Sequence, residues 1–112
     1  MVRVSLPCVD TAEVLLSVGR TLWGIPTPEL RTVAVSWQGS DIMLRFIYDK
    51  PVEYFERELA SLCGTYTVAD FPTATVAEQA VHIAVPQALV LAEGEQWVYL
   101  RYEPDHQENT SI

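Results

Sequence analysis

The side chains able to do chemistry in this chain are few and far apart. The two cysteines, Cys8 and Cys63, form no CxxC pair and show no metal-type spacing, and neither has the local context of a hydrolase nucleophile. The two histidines, His82 and His106, are equally separate. No GxSxG, HExxH or calcium-loop pattern occurs, and the five glycines are too scattered to cradle a phosphate. No catalytic residue, metal or cofactor is assigned on these grounds, and an enzyme is not expected. What remains is recognition chemistry. Asp49, Glu53, Glu56, Asp70 and Glu78 can act together as an anionic patch facing a cationic partner. The competing reading of Glu53, Glu56 and Glu58 is a plainly solvated helix face. Arg45, His82, Trp97 and Tyr99, with Arg101, mix arginine with aromatic rings, the composition of interface hot spots.

The charge is unevenly placed. Residues 1–48 carry four basic and four acidic groups, whereas residues 49–112 carry three basic and eleven acidic ones, the whole formal charge of −8. No Lys or Arg occurs between Glu58 and Leu100. Such a field repels nucleic acid and anionic lipid, and it speeds encounter with basic proteins. Nucleic acid and membrane are therefore excluded as partners, and a positively charged protein is favoured.

A chain of 112 residues, 49% apolar and 20% charged, has the composition and size of one globular domain. Residues 1–104 are assigned to that domain and 105–112 to a polar tail. The sequence opens without a basic segment followed by an apolar one, and its apolar runs are far below the ~20 residues of a membrane span. A cytoplasmic protein with two reduced, buried thiols is the expectation.

The elements that must position the candidate residues follow from periodicity and stop signals. Asp10 to Trp23 reads as a helix, with Asp10 and Glu13 in a capping-box arrangement and Ala12, Leu15, Leu16, Gly19, Leu22 and Trp23 on the buried face. Gly24 to Pro28 ends it. Val33, Val35 and Trp37, then Ile42, Leu44, Phe46 and Tyr48, alternate on either side of Gln38-Gly39-Ser40 and predict a β-hairpin. Pro51 opens a second helix that runs to about Ala69 before Asp70-Phe71-Pro72, with Val52, Phe55, Leu59, Leu62, Cys63 and Tyr66 buried. Val81, Ile83 and Val85 alternate up to Pro86, and Gln96 to Tyr102 alternate again after the Ala92–Glu95 turn. The order α-β-β-α-β-β predicts an α+β fold: a two-layer sandwich of a four-stranded antiparallel sheet with two helices on one face. The other face would be open, with Arg45, His82, Trp97, Tyr99 and Arg101 pointing outward from it.

Four strings carry a resemblance: Gly19-Arg20-Thr21-Leu22-Trp23-Gly24, the run Leu30 to Gly39 (LRTVAVSWQG), Ala69-Asp70-Phe71-Pro72, and Trp97-Val98-Tyr99-Leu100-Arg101. Together, from about Leu6 to Glu103, the chain resembles the CdiI-type immunity proteins of contact-dependent growth inhibition. The resemblance implies a bacterial cytoplasmic protein that binds the toxin domain delivered by a neighbouring cell, often a nuclease, and covers or blocks its active site. It carries over no binding residues. The expectation is a one-to-one complex with a basic toxin domain, a ribonuclease first among candidates. Two alternatives stay open: a self-associating structural or regulatory domain joined through the open sheet face, and a binder of a small anion held by His82, Arg45 and Arg101.

Overall fold

The computed structural model describes residues 11–103. Cys8, Asp10 with its expected cap, His106 and the 105–112 tail lie outside the described residues. Within them the elements are α1 (Thr11–Thr21), β1 (Leu30–Gln38), β2 (Asp41–Tyr48), α2 (Tyr54–Asp70), β3 (Thr75–His82) and β4 (Gln96–Leu100). The order is the expected one, and the fold is α+β.

Gly24, at φ 78°, takes the left-handed turn that closes α1. Gly39, at φ 62°, makes the tight turn by which Gln38 and Asp41 pair and β1 and β2 run antiparallel. After β2 the chain returns along α2 before it re-enters the sheet at Thr75. A strand entered after such a crossover starts at the same end as the one before it. β3 accordingly pairs with β2 in parallel, from Asp41 beside Thr75 to Tyr48 beside His82. The expected all-antiparallel sheet is thus corrected to a mixed one, of order β3-β2-β1-β4.

Both helices pack on one face of this sheet. Val14 and Val18 of α1, Leu22 just after it, and Ala60 and Cys63 of α2 share a core with Val33, Val35, Ile42, Leu44, Phe46 and Tyr48. Each large apolar side chain buried there contributes roughly 1.5–3 kcal/mol. The helices are rotated relative to the sequence expectation. The α2 residues that are buried are Glu56, Ala60, Cys63, Gly64 and Thr67, so small side chains bring the helix close to the sheet. Phe55 (61% exposed), Leu62 and Tyr66 face solvent instead of the core. Leu16 on α1 and Trp23 in the turn after it are likewise exposed, while Ser17 and Thr21 are buried. Thr21 sits between the helices, its hydroxyl 3.2 Å from Cys63 Sγ and 3.3 Å from Thr67 Oγ1.

The face opposite the helices is not open. With β3 and β4 at opposite edges of the sheet, the connector of residues 83–95 must span about 14 Å across it. Arg45, which points away from the helices, donates to the carbonyl oxygen of Val90 and to the Glu95 carboxylate, so the connector runs over this face. Thr32, Ala34 and Ile47 are fully buried beneath it. The bare sheet face on which self-association was to rest is therefore covered in its middle.

Candidate functional site

The connector is fixed at both ends by arginines. Near β3, Arg31 donates to the carbonyls of Ile83 (2.8 Å) and Gln87 (3.0 Å) and forms a buried two-point pair with Glu103 at 2.7 and 2.8 Å. Near β4, Arg45 grips both oxygens of Glu95, at 2.7 and 2.8 Å. Glu95 also accepts the Ala92 N–H, which closes the turn around Gly94. These contacts hold Glu95 below the usual carboxylate range through Arg45, and Glu103 through Arg31. Charged bonds of this two-point geometry are strong and directional, so the connector is held in one path.

Beside this anchor, between Ser36, Gln38, Asp41 and Met43 of the sheet and Glu93 and Gly94 of the connector, lies a groove of about 470 Å3. No local signal marks it, because Asp41 and Glu93 are 52 positions apart and meet only through the topology.

The candidate carboxylates do not gather into one patch. Asp49 accepts the Val85 N–H and faces Arg101 at 3.3 Å, and these partners depress its pKa, Val85 first. Glu56 is 4% exposed, accepts the Glu53 N–H at the start of α2 and pairs with Lys50 at 2.9 Å, which lowers its pKa. Glu53 remains largely in solvent, 3.6 Å from Lys50. Asp70 accepts from Ser17 (2.6 Å) and Arg20 (2.7 Å), which depress its pKa and tie α2 to α1. A helix of this length separates Glu53 from Asp70 by about 25 Å. Glu78 lies under α2 against Gly64, with no hydrogen-bond or ion-pair partner among the described residues, and burial pushes its carboxyl upward.

The arginine and aromatic set is dispersed as well. β3 starts at Thr75, which sets a register that places Val81 beside Ile47 and His82 beside Tyr48. His82 is thus exposed at the strand end on the helix-side parity, and Val81 lies on the far face; both placements reverse the expected ones. In β4 an irregularity between Tyr99 and Trp97 shifts the alternation. Tyr99 sits opposite Val33 and packs on the core, Leu100 and Tyr102 are exposed, and Trp97 sits half-buried opposite Ala34 on the connector side. The outward placement of Tyr99 and the inward placement of Leu100 and Tyr102 are corrected accordingly. Arg101 is held by the Pro28 carbonyl, Asp49 and Glu103. His82, Arg45 and Arg101 therefore do not converge on a common anion.

Among the described residues, five of the six basic side chains (Arg20, Arg31, Arg45, Lys50, Arg101) are engaged by internal carboxylates, and Arg57 makes no ion pair. No group of three or more His, Cys, Asp or Glu among them could hold a metal ion. None of their helices is long and apolar enough to cross a membrane.

No curated protein sequence matches the chain significantly. A chain from the rebuilt and re-refined structure of the tri-AMPylated Shewanella oneidensis HEPN toxin in complex with MNT antitoxin aligns with a TM-score of 0.48 and 8% identity, over 85% of this chain and 76% of that one. Residues 11–103 match the family described as MafI2 immunity protein. That family takes the place of the CdiI type suggested by the four sequence strings, and the role of toxin immunity is common to both.

Proposed function

The chain belongs to the MafI2 immunity protein family, and on that premise we propose that it binds one cognate toxin domain and neutralises it by covering the active site, with no catalysis of its own. The observation that carries this reading is the family match across every element of the fold, residues 11–103. The toxin domain is basic and is a nuclease acting on RNA. The formal charge of −8 supports that choice, since a nuclease cleft is built to hold phosphates and carboxylates can stand in their place. The complex forms in the cytoplasm, as a one-to-one pair. Of the residues put forward for the contact, Glu53, His82 and Trp97 keep exposed atoms without internal ion pairs stronger than the 3.6 Å contact to Lys50, and they remain candidates.

The test is RNA cleavage by the toxin domain encoded beside this chain, with the protein added in steps. Cleavage is expected to cease as the molar ratio reaches one. Cleavage that continues at several-fold excess refutes the proposal, and a toxin that cleaves no RNA but is still silenced in its own assay refutes only the choice of substrate.

A further inference from the structure

Resting on that reading, we propose that the groove between the hairpin end of the sheet and the connector receives a cationic side chain, arginine or lysine, from the toxin domain. Among the described residues, the groove's only charged lining groups are two carboxylates, Asp41 from β2 and Glu93 from the connector. Neither forms an ion pair among the described residues. Asp41 accepts a hydrogen bond from Thr75 on Oδ1 alone, at 2.6 Å, which leaves Oδ2 available. The basic residue nearest in register on this face, Arg45, has its guanidinium closed by both oxygens of Glu95 and offers these carboxylates no counter-charge.

The remaining lining suits the same occupant. A long basic side chain is an alkyl stem carrying a charged head, and it binds best where an apolar wall leads to anionic acceptors. Met43, 38% exposed, supplies a polarisable wall, and Ser36 and Gln38 supply further oxygen acceptors. The volume of about 470 Å3 admits one such side chain with the backbone that carries it. The groove is also built in advance. The Arg45–Glu95 clamp and the Ala92 N–H bond set the turn that presents Glu93, so little ordering is left to be done on binding.

The experiment compares wild-type protein with Asp41→Asn/Glu93→Gln and with Phe55→Ala/Leu62→Ala, titrated by calorimetry against the toxin domain encoded beside it. Asn at 41 keeps an acceptor for Thr75 and residue 93 is exposed, so the melting temperature of the first variant should equal that of wild type. Its affinity should fall by about tenfold or more, and its affinity should depend less steeply on salt. Glu93→Lys alone, on an exposed turn, should weaken binding in the same direction. Affinity of the Asn/Gln variant within about twofold of wild type, or a loss confined to the Phe55/Leu62 variant, overturns the groove while leaving the immunity reading in place. Failure of wild-type protein to bind the toxin overturns the immunity reading and the groove together.

Discussion

Replacing a mid-helix glycine by alanine ordinarily stabilises a helix by about 1 kcal/mol. At Gly64 of α2 the sign should reverse. A Cβ there would stand 2.9 Å from Glu78 Cγ and 2.5 Å from its Cδ, and it would overlap Oε2. The position of Cγ is set by χ1, so a shift of the carboxylate tip cannot relieve the clash; the whole side chain must change rotamer beneath a helix. Overpacking of this kind costs roughly 1–3 kcal/mol, which leaves Gly64→Ala about 1 kcal/mol less stable than wild type. Among the described residues Glu78 has no partner to lose, so Glu78→Ala should cost little by itself. With Glu78 shortened, alanine at 64 recovers its helical advantage, and the double variant should exceed Glu78→Ala by about 1 kcal/mol. The coupling, about 2 kcal/mol, is read from urea unfolding of the four proteins at a common slope. A stabilised Gly64→Ala, or effects additive within about 0.5 kcal/mol, would refute the close approach of α2 to β3.

Two further outcomes follow from the carboxylates. Burial raises the pKa of Glu78 in the folded state, so its effect on stability is most favourable below the ordinary glutamate range and deteriorates as pH rises through the folded-state value. Glu78→Gln should therefore raise the melting temperature at neutral pH, and the gain should vanish near about pH 4; an equal gain at both pH values would remove burial as the cause. Charge reversal at Glu53, which is 71% exposed but caps the start of α2, should cost about 1 kcal/mol, whereas Glu56→Lys places a second cation beside Lys50 in a buried site and should cost at least about 2 kcal/mol. Equal losses in the two melts would contradict the burial of Glu56.

Element order was legible in the sequence because it depends on local signals: the Gly39 turn, the glycine and prolines after α1, and Asp70-Phe71-Pro72 after α2. Helix orientation was not. In α2, residues 55, 59, 62 and 66 lie on one stripe and 56, 60, 63, 64 and 67 on another, and period alone cannot tell which stripe meets the sheet. The larger apolar residues mark the first, but the fold buries the second, where small side chains allow the close approach and Gly64 leaves room for Glu78. In β4 the alternation read from Gln96 onward is offset by one at the irregularity beside Val98, which turns Tyr99 inward. The cover on the far face was beyond reach for another reason. The alternation read through Ile83 and Val85 ends in the structure at His82, residues 86–95 have no periodicity, and the path of the connector over the sheet follows only from β3 and β4 lying at opposite edges.

The acidic surplus now has a different meaning from the one its position in the chain suggested. An internal ion pair removes one charge of each sign, so pairing leaves the net charge, and with it the long-range field, unchanged. Asp49, Glu56 and Asp70 therefore still contribute to steering a basic partner, although each holds the fold together through its own partners. Short-range docking obeys a stricter rule, because a carboxylate already engaged must give up a bond before it can accept another. Among the described residues, Asp41 and Glu93 at the groove meet that rule: neither is held by a cation, and Asp41 is engaged on Oδ1 alone. Association rate should thus follow the total charge of the chain, and complex lifetime the few unengaged carboxylates. A neutralising substitution at Asp49 or Asp70 would then act on folding and encounter, and one at Asp41 or Glu93 on dissociation.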